Sequence, residues 1–298
     1  MSENAAQIKS LIGKGREAVN LILDEGSFTE NIIGGYRQDP ELGPGAVIGT
    51  GKLMGRDVTV ISNDAKVRNP RFPVVMAGVI GLEEAYKMAI AVYKTIEEDM
   101  GKHAGKKRPL VLIVDSPGNS PGKTEEIIGM CKATGAYQLA LTEARQHGHP
   151  VIAMIIGRAI SGAFLCHGLQ ADRILALSKK YGTMIHVMPL SSIARITKRD
   201  IETLEELSKS NPVFASGADF FYELGGVEEI IDDAANMRVA INRHIDDVYA
   251  INAAGKSELN GPWGRGALGG ERGGRKTRGQ VIDLMREEFV ALEEGLLR

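Results

Sequence analysis

Residues 109–115 read PLVLIVD, and after the proline no polar side chain interrupts the run until Asp115. A run of strand length without polar alternation has no face to offer to water. It fits a strand covered on both sides, as in a parallel sheet between two helical layers. VIAMII, residues 151–156, repeats the pattern. Each run ends in a glycine-bearing turn, SPGNSPG in one case and GRAISGAF in the other, and each turn opens into a helical pattern. Strand, tight turn and helix, twice over, commit this part of the chain to an α/β fold.

The flanking segments extend that reading. Ile8, Leu11, Ile12, Ala18, Val19 and Ile22 recur at helical spacing over 5–24. Residues 46–64, AVIGTGKLMGRDVTVISND, form two strands joined by a turn at Met54-Gly55. Helices are expected over 82–100 and 124–147, short strands at RILAL and TMIHV, and mostly helix from 191 to 250. The whole reads as one α/β domain from 5 to 252. Residues 253–280 differ: nine glycines and six Lys or Arg stand against two Glu, the composition of a flexible, Gly-rich basic loop. The last stretch, 281–298, has the period of an amphipathic helix that must dock on something.

Bulk composition narrows the function classes. With 43% hydrophobic and 25% charged residues, the chain is an ordinary globular one. A net charge of −2 gives no reason to expect nucleic acid or an anionic membrane as partner. The two cysteines, Cys131 and Cys166, have no zinc-like spacing, which fits a reducing cytoplasm. No secretory signal pattern and no membrane-length apolar run is found.

The sequence SPGNSPGKTEE raises the question of a phosphate loop. Such a loop needs G-x-x-x-x-G-K-[ST], and the residue five before Gly122 is Pro117. Pro121 lacks an N–H for the cradle, and Glu125 and Glu126 would place negative charge where a phosphate sits. The spacing argues against a nucleotide. The turn after VIAMII admits two readings. Its small residues suit tight strand–helix packing. They also let the N–H groups of Gly162 and Ala163, which lack partners inside a helix opening near Ser161, act with the helix dipole as an oxyanion hole.

Together, VDSPGNSPG and GRAISGAF resemble the carboxyltransferase branch of the crotonase superfamily. LILDEGSFTE and the 46–64 hairpin are similar to that family's opening. ADRILAL, followed by VMPLSSIARITKRDIETLEELSKSNPVFASGADFFYELGGVEEI, resembles the gamma subunits of malonate decarboxylases. The resemblance spans about residues 15–235. Ser161 departs from the Gly usual in biotin-dependent relatives, and Arg158 from the Lys of some.

The resemblance implies a crotonase-like spiral of ββα units with a helical C-terminal part. It implies a homologous beta subunit as heterodimer partner, with the site between the two, an acyl carrier protein bearing a malonyl thioester on a coenzyme-A-like arm, and an alpha acyl-transferase subunit. The activity would be that of a carboxy-lyase, active only with its beta partner, yielding an acetyl thioester and CO₂ through an enolate. No metal is required and no cofactor is bound by the chain itself. Gly162 and Ala163 would form the oxyanion hole and Gly118 and Gly122 a second N–H set. Ser161, Ile160, Pro117 and Asn119 would contact substrate. The basic loop would suit the phosphates of the carrier arm. The alternative is a biotin-dependent carboxyltransferase subunit; a third reading is a non-catalytic scaffold for an active beta subunit.

Other residues carry simpler readings. Asp115 stabilises its turn. Cys166 and His167, about 100° apart on a helix, do not pair simply and read as core cysteine and satisfied histidine. Lys106, Lys107 and Arg108 read as a solvated face.

Overall fold

The computed structural model describes residues 8–209 and 216–296. The chain enters through α1 (Gly15–Ile22) and three short strands, β1 (Thr29–Glu30), β2 (Ile32–Ile33) and β3 (Tyr36–Arg37). The hairpin follows, β4 (Ala46–Leu53) and β5 (Arg56–Asn63). Its turn residues Met54 (φ 50) and Gly55 (φ 80) both occupy the left-handed region that a two-residue hairpin turn demands. The central part runs α2 (Leu82–Glu98), β6 (Leu110–Ser116), α3 (Lys123–Ile128), α4 (Met130–Gln146), β7 (Val151–Ile160), α5 (Ser161–Cys166), β8 (Arg173–Leu177) and β9 (Met184–His186). The C-terminal part is mostly helical: α6 (Leu190–Thr197), α7 (Ile201–Ser208), α8 (Ala218–Glu223), β10 (Glu229–Ile231), α9 (Met237–Ala253), α10 (Gly261–Glu271) and α11 (Arg278–Leu296).

The main sheet has the order β1-β4-β5-β6-β7-β8-β10, with β9 also pairing to β7. β1, β4 and β5 pair antiparallel, and β5 through β10 run parallel. The unbroken apolar run of β6 is explained by its two faces. Leu110, Leu112 and Val114 join the core under α2 and α4, where Met88, Val92, Tyr137 and Leu141 lie. Val111 and Ile113 point the other way, into the core under α1 and α9 with Val19, Ile22, Ile241 and Ile245. All five β6 side chains are at most 1% exposed. By area, a fully buried aliphatic side chain contributes about 1.5–3 kcal/mol.

Local sequence misjudged several boundaries. The expected helix over 5–24 is confined to α1, because Gly13 takes φ 74 and its N–H is tied to Asp115; residues 5–7 lie outside the described residues. The expected 124–147 helix is split at Gly129, whose φ of 127 no helix accommodates. The strand VIAMII does not stop at Ile156: β7 continues to Ile160, because β9 supplies pairing partners for Arg158, Ala159 and Ile160. That pairing is non-local and leaves no trace in the turn's own sequence.

Residues 253–280 are not a featureless loop. They hold a 3₁₀ turn, Ser257–Leu259, and α10, whose Gly261, Gly264, Gly266 and Gly269 are buried. The glycines serve close approach: a Cβ at Gly269 would lie 2.1 Å from the carbonyl oxygen of Leu224, and one at Gly264 2.0 Å from that of Leu259. The positive charges are largely consumed in tying down backbone. Arg265 is buried and donates to the carbonyls of Leu169 and Ala171; burial pulls its pKa down to about 10. Arg272 donates to the carbonyls of Tyr222, Val227 and Glu228 and Arg275 to that of Leu224, while Arg278 lies over the Trp263 ring.

The terminal helix begins at Arg278, earlier than expected, and among the described residues its apolar side chains are left uncovered. Val281, Leu284, Met285, Phe289 and Leu292 are all at least half exposed. Residues 297–298 lie outside the described residues.

Candidate active site

The site is organised by a clamp between the ends of β6 and β7. Asp115 is 2% exposed. Its Oδ1 accepts from the N–H and Nε of Arg158, at 2.8 and 2.9 Å. Its Oδ2 accepts from Arg158 Nη2 at 2.9 Å and from the Gly13 N–H at 2.7 Å. Four donors leave the carboxylate no free capacity for proton transfer. Asp115 is therefore a joint rather than an acid, as the simpler reading held, though it ties β7 and the N-terminal segment rather than its own turn. Gly157 is part of the joint, since a Cβ there would lie 2.5 Å from Asp115 Oδ1. The same spot carries a register shift: Val114 pairs with Ile155, then Ser116 with Ala159. Such an irregularity re-aims the strand that follows.

Beyond Asp115, the 117–122 turn is pinned from the side. The Ile80 N–H donates to the Gly118 carbonyl and the Ser120 N–H to the Ile80 carbonyl, at 3.1 and 3.0 Å. Glu125 reaches back under the turn. Its Oε1 accepts from the Leu82 N–H at 2.8 Å, capping α2 rather than its own helix, and its other oxygen accepts from the Ser120 hydroxyl. A Cβ at Gly122 would meet Glu125 Oε2 at 2.8 Å. A carboxylate thus lies directly against the turn where a phosphate loop would hold its anion.

β7 ends in a sharp elbow. Ser161 takes φ 55, a left-handed conformation rare for a residue with a Cβ, and α5 starts there. Ser161 is exposed, Ile160 buried, and the next two amides, Gly162 and Ala163, fall in the first helical turn. Among the described residues neither amide donates to any group outside the helix. The two turns meet here: a Cβ at Gly162 would lie 3.0 Å from Asn119 Nδ2. Among the described residues Asn119 Oδ1 is buried and unpartnered.

The structure thus brings together Gly162, Ala163, Ser161, Ile160 and Asn119, with Pro117 two residues away on the same turn. It sets Gly118 and Gly122 apart. The Gly118 N–H lies 3.3 Å from Ser116 Oγ and the Gly122 N–H 3.3 Å from Ser120 Oγ, so both candidate donors of a second N–H set are engaged within the turn.

Cys166 and His167 are core residues. The His167 Nδ1 meets the Tyr137 hydroxyl and Nε2 the Ile113 carbonyl, both at 2.9 Å. Burial pulls the imidazole down to about 4 and pushes the Cys166 thiol up to about 12. Lys107 also departs from expectation. It is buried, with Nζ on the carbonyls of Asp99 and Met100, so it is no part of a solvated face.

Two features escaped the sequence. Arg158 stood out only as a departure from a pattern, because its partner Asp115 is 43 positions away. His186 showed no spacing signal; it faces an apolar cleft of about 650 Å³ between β9, α6 and α8, and pairs in register with Ile160.

Two backbone turns facing each other at the carboxyl edge of a parallel sheet, one of them a small-residue elbow into a helix, define a crotonase-like fold of the carboxyltransferase type. The model of the malonate decarboxylase gamma subunit family matches residues 76–289. The malonyl-S-ACP:biotin-protein carboxyltransferase of Malonomonas rubra is 61% identical over 285 residues, 95% of this chain and 98% of that protein. A Pseudomonas malonate decarboxylase hetero-tetramer in complex with coenzyme A contains a chain with TM-score 0.70 and 31% identity, covering 82% of this chain and 91% of that one. A Pseudomonas malonate decarboxylase hetero-dimer gives TM-score 0.67 and 30% identity, over 84% and 96%. The chain belongs to the malonate decarboxylase gamma subunit family. Among the described residues no helix is long and apolar enough to cross a membrane.

Proposed function

We propose that this chain forms, with a homologous beta subunit, the site at which the carboxyl group of a malonyl thioester on an acyl carrier protein is removed. Breaking the C–C bond frees the carboxyl carbon at the level of CO₂ and leaves the electron pair on the α-carbon, where it delocalises into the thioester carbonyl as an enolate that then takes up a proton to give the acetyl thioester. Backbone donors aimed at an oxygen stabilise such charge without reorganising, and one donor is worth roughly 3–4 kcal/mol. Gly162 and Ala163 offer two such donors. Ser161, Ile160, Asn119 and Pro117 line the approach, and the Asp115–Arg158 joint holds the elbow in place. The chain holds one set of these turns, which favours activity only with the partner. An alpha subunit would supply the acyl transfer that loads the carrier.

The carboxyl group has two destinations. The observation that carries the reading is the 61% identity to a relative whose name states transfer to a biotin protein, extending over 98% of its length. It favours biotin on a carrier protein as acceptor. Release as CO₂ without biotin is the second reading, favoured by the family model, described as malonate decarboxylase gamma subunit, and by the Pseudomonas structures. In neither reading does this chain need a bound cofactor.

The test uses the reconstituted gamma–beta pair with carboxyl-labelled malonyl thioester. Label trapped on a biotin carrier and abolished by avidin supports transfer. Label released as CO₂ and indifferent to avidin supports the second reading. Label retained on the thioester in both assays sinks both. If Gly162→Val assembles normally and keeps full activity, the chain is a scaffold.

A further inference from the structure

The proposed function accounts for the elbow but leaves the cleft beside it without a role. This cleft, of about 650 Å³, is lined mainly by apolar groups, among them Met184, Met188, Leu190, Ile193 and Phe220. His186 is its one titratable side chain among the described residues. Parallel register sets His186 opposite Ile160, one residue before the Ser161 elbow, so the cleft adjoins the place where the amides of Gly162 and Ala163 emerge.

The imidazole is asymmetric. Among the described residues Nδ1 is buried without a hydrogen-bond partner. The ring is only partly buried, so its access to the cleft is through the edge that carries Nε2. A neutral imidazole carries one proton. Either tautomer leaves Nδ1 unmet, at roughly 1–3 kcal/mol for a buried donor or acceptor alike. Nε2 is the nitrogen that can meet a ligand, and with the proton there the ring presents a donor to the cleft. Burial as the sole influence on this ring lowers its pKa, so the neutral form holds at neutral pH. The result is a neutral N–H donor at the wall of an apolar cavity. Its complement is a carbonyl oxygen on an apolar body, since a small free anion would gain nothing from the apolar walls.

We propose that His186 is a substrate-contacting residue whose Nε2–H donates to a neutral carbonyl oxygen of a ligand seated in the cleft between β9, α6 and α8. The inference rests on the proposed carboxyl removal and names the group that recognises one of its reactants. Two sources share the chemistry: the ureido carbonyl of biotin and the thioester carbonyl of the acyl carrier arm.

The experiment uses the gamma–beta complex carrying His186→Leu or His186→Gln, with assembly checked first by size-exclusion chromatography. Glutamine keeps an N–H donor at similar reach; leucine keeps only bulk. In one arm kcat/KM is measured for free biotin at saturating malonyl thioester, in the other for malonyl thioester, read as total carboxyl loss. His186→Leu should lose roughly tenfold in one arm, the worth of about one hydrogen bond, and His186→Gln should stay within about threefold of wild type. Loss in the biotin arm assigns the ureido carbonyl; loss in the thioester arm assigns the thioester. An unchanged His186→Leu, equal loss in both arms, or His186→Gln as poor as His186→Leu overturns the inference while leaving the parent reading intact. A wild-type complex that neither transfers nor releases the carboxyl group overturns the parent reading and this inference with it.

Discussion

The amide Nδ2 of Asn119 lies 3.0 Å from the point where a Cβ on residue 162 would stand. Two turns that leave different strands thus share one wall, and the space between them exists because residue 162 has no side chain. The contact sets a small-residue turn, readable as simple packing, directly against the turn after β6, as the proposed site requires.

Gly162→Val tests that space directly. A branched side chain there pushes on Asn119 and fills the volume in front of the two amides. Turnover by the gamma–beta complex should fall roughly 10²–10³-fold, the cost of losing one preorganised donor, while circular dichroism and complex assembly stay as in wild type. Lys123→Ala should leave turnover within about twofold of wild type, as expected for a surface substitution away from any site. A reversed pattern, with Lys123→Ala inactive and Gly162→Val active, would restore the phosphate-loop reading.

Ser161 pays for its position in backbone strain. A non-glycine residue in the left-handed region costs of order 1 kcal/mol, and a β-branched one more. Ser161→Val should lower stability by about 1–3 kcal/mol, and Ser161→Gly should be at least as stable as wild type. Thermal unfolding of the three chains measures both. A Ser161→Val chain as stable as wild type would mean that the elbow relaxes.

The Asp115–Arg158 joint should matter far more than the exposed pair between Lys52 and Asp57. The first is 2% and 16% exposed at its side chains and the second 53% and 72%. Removing one member of a buried pair costs about 3–5 kcal/mol, whereas exposed pairs contribute roughly 0–1. Asp115→Asn should therefore unfold at markedly lower urea concentration than Asp57→Asn. Equal midpoints for the two variants would contradict the joint.

His167 makes stability depend on pH. Its imidazole is neutral in the fold, with its pKa pulled to about 4 by burial against an ordinary value of 6.5. The unfolded chain binds this proton first, so the contribution is fully present above pH 6.5, shrinks as pH falls, and levels off below about 4. The full difference is on the order of 3 kcal/mol, at 1.36 kcal/mol per pH unit. In His167→Gln the loss of stability between pH 7 and pH 5 should be visibly shallower than in wild type. Parallel curves for the two chains would show that this histidine is not the group titrating.

Some of this molecule is written locally. The runs ending at Asp115 and Ile156 declare buried strands because hydrophobic patterning is a property of neighbouring residues, and the Met54-Gly55 turn and the long α2 helix are legible for the same reason. The expected oxyanion amides could be named because small residues between a strand and a helix leave first-turn N–H groups without partners. Where β7 ends was decided elsewhere, by β9, whose pairing carries the strand on to Ile160. Whether the charges of 253–280 were free also lay outside local sequence. Arg265 and Arg272 look like solvated cations in sequence, and only folding brings the carbonyls of Leu169, Ala171, Val227 and Glu228 to them. Asn119 and Gly162, too, become neighbours only when β6 and β7 lie side by side. Pattern along the chain determines which face of each element is buried; it holds no term for which distant element arrives to cover it, and the active geometry is made of those arrivals.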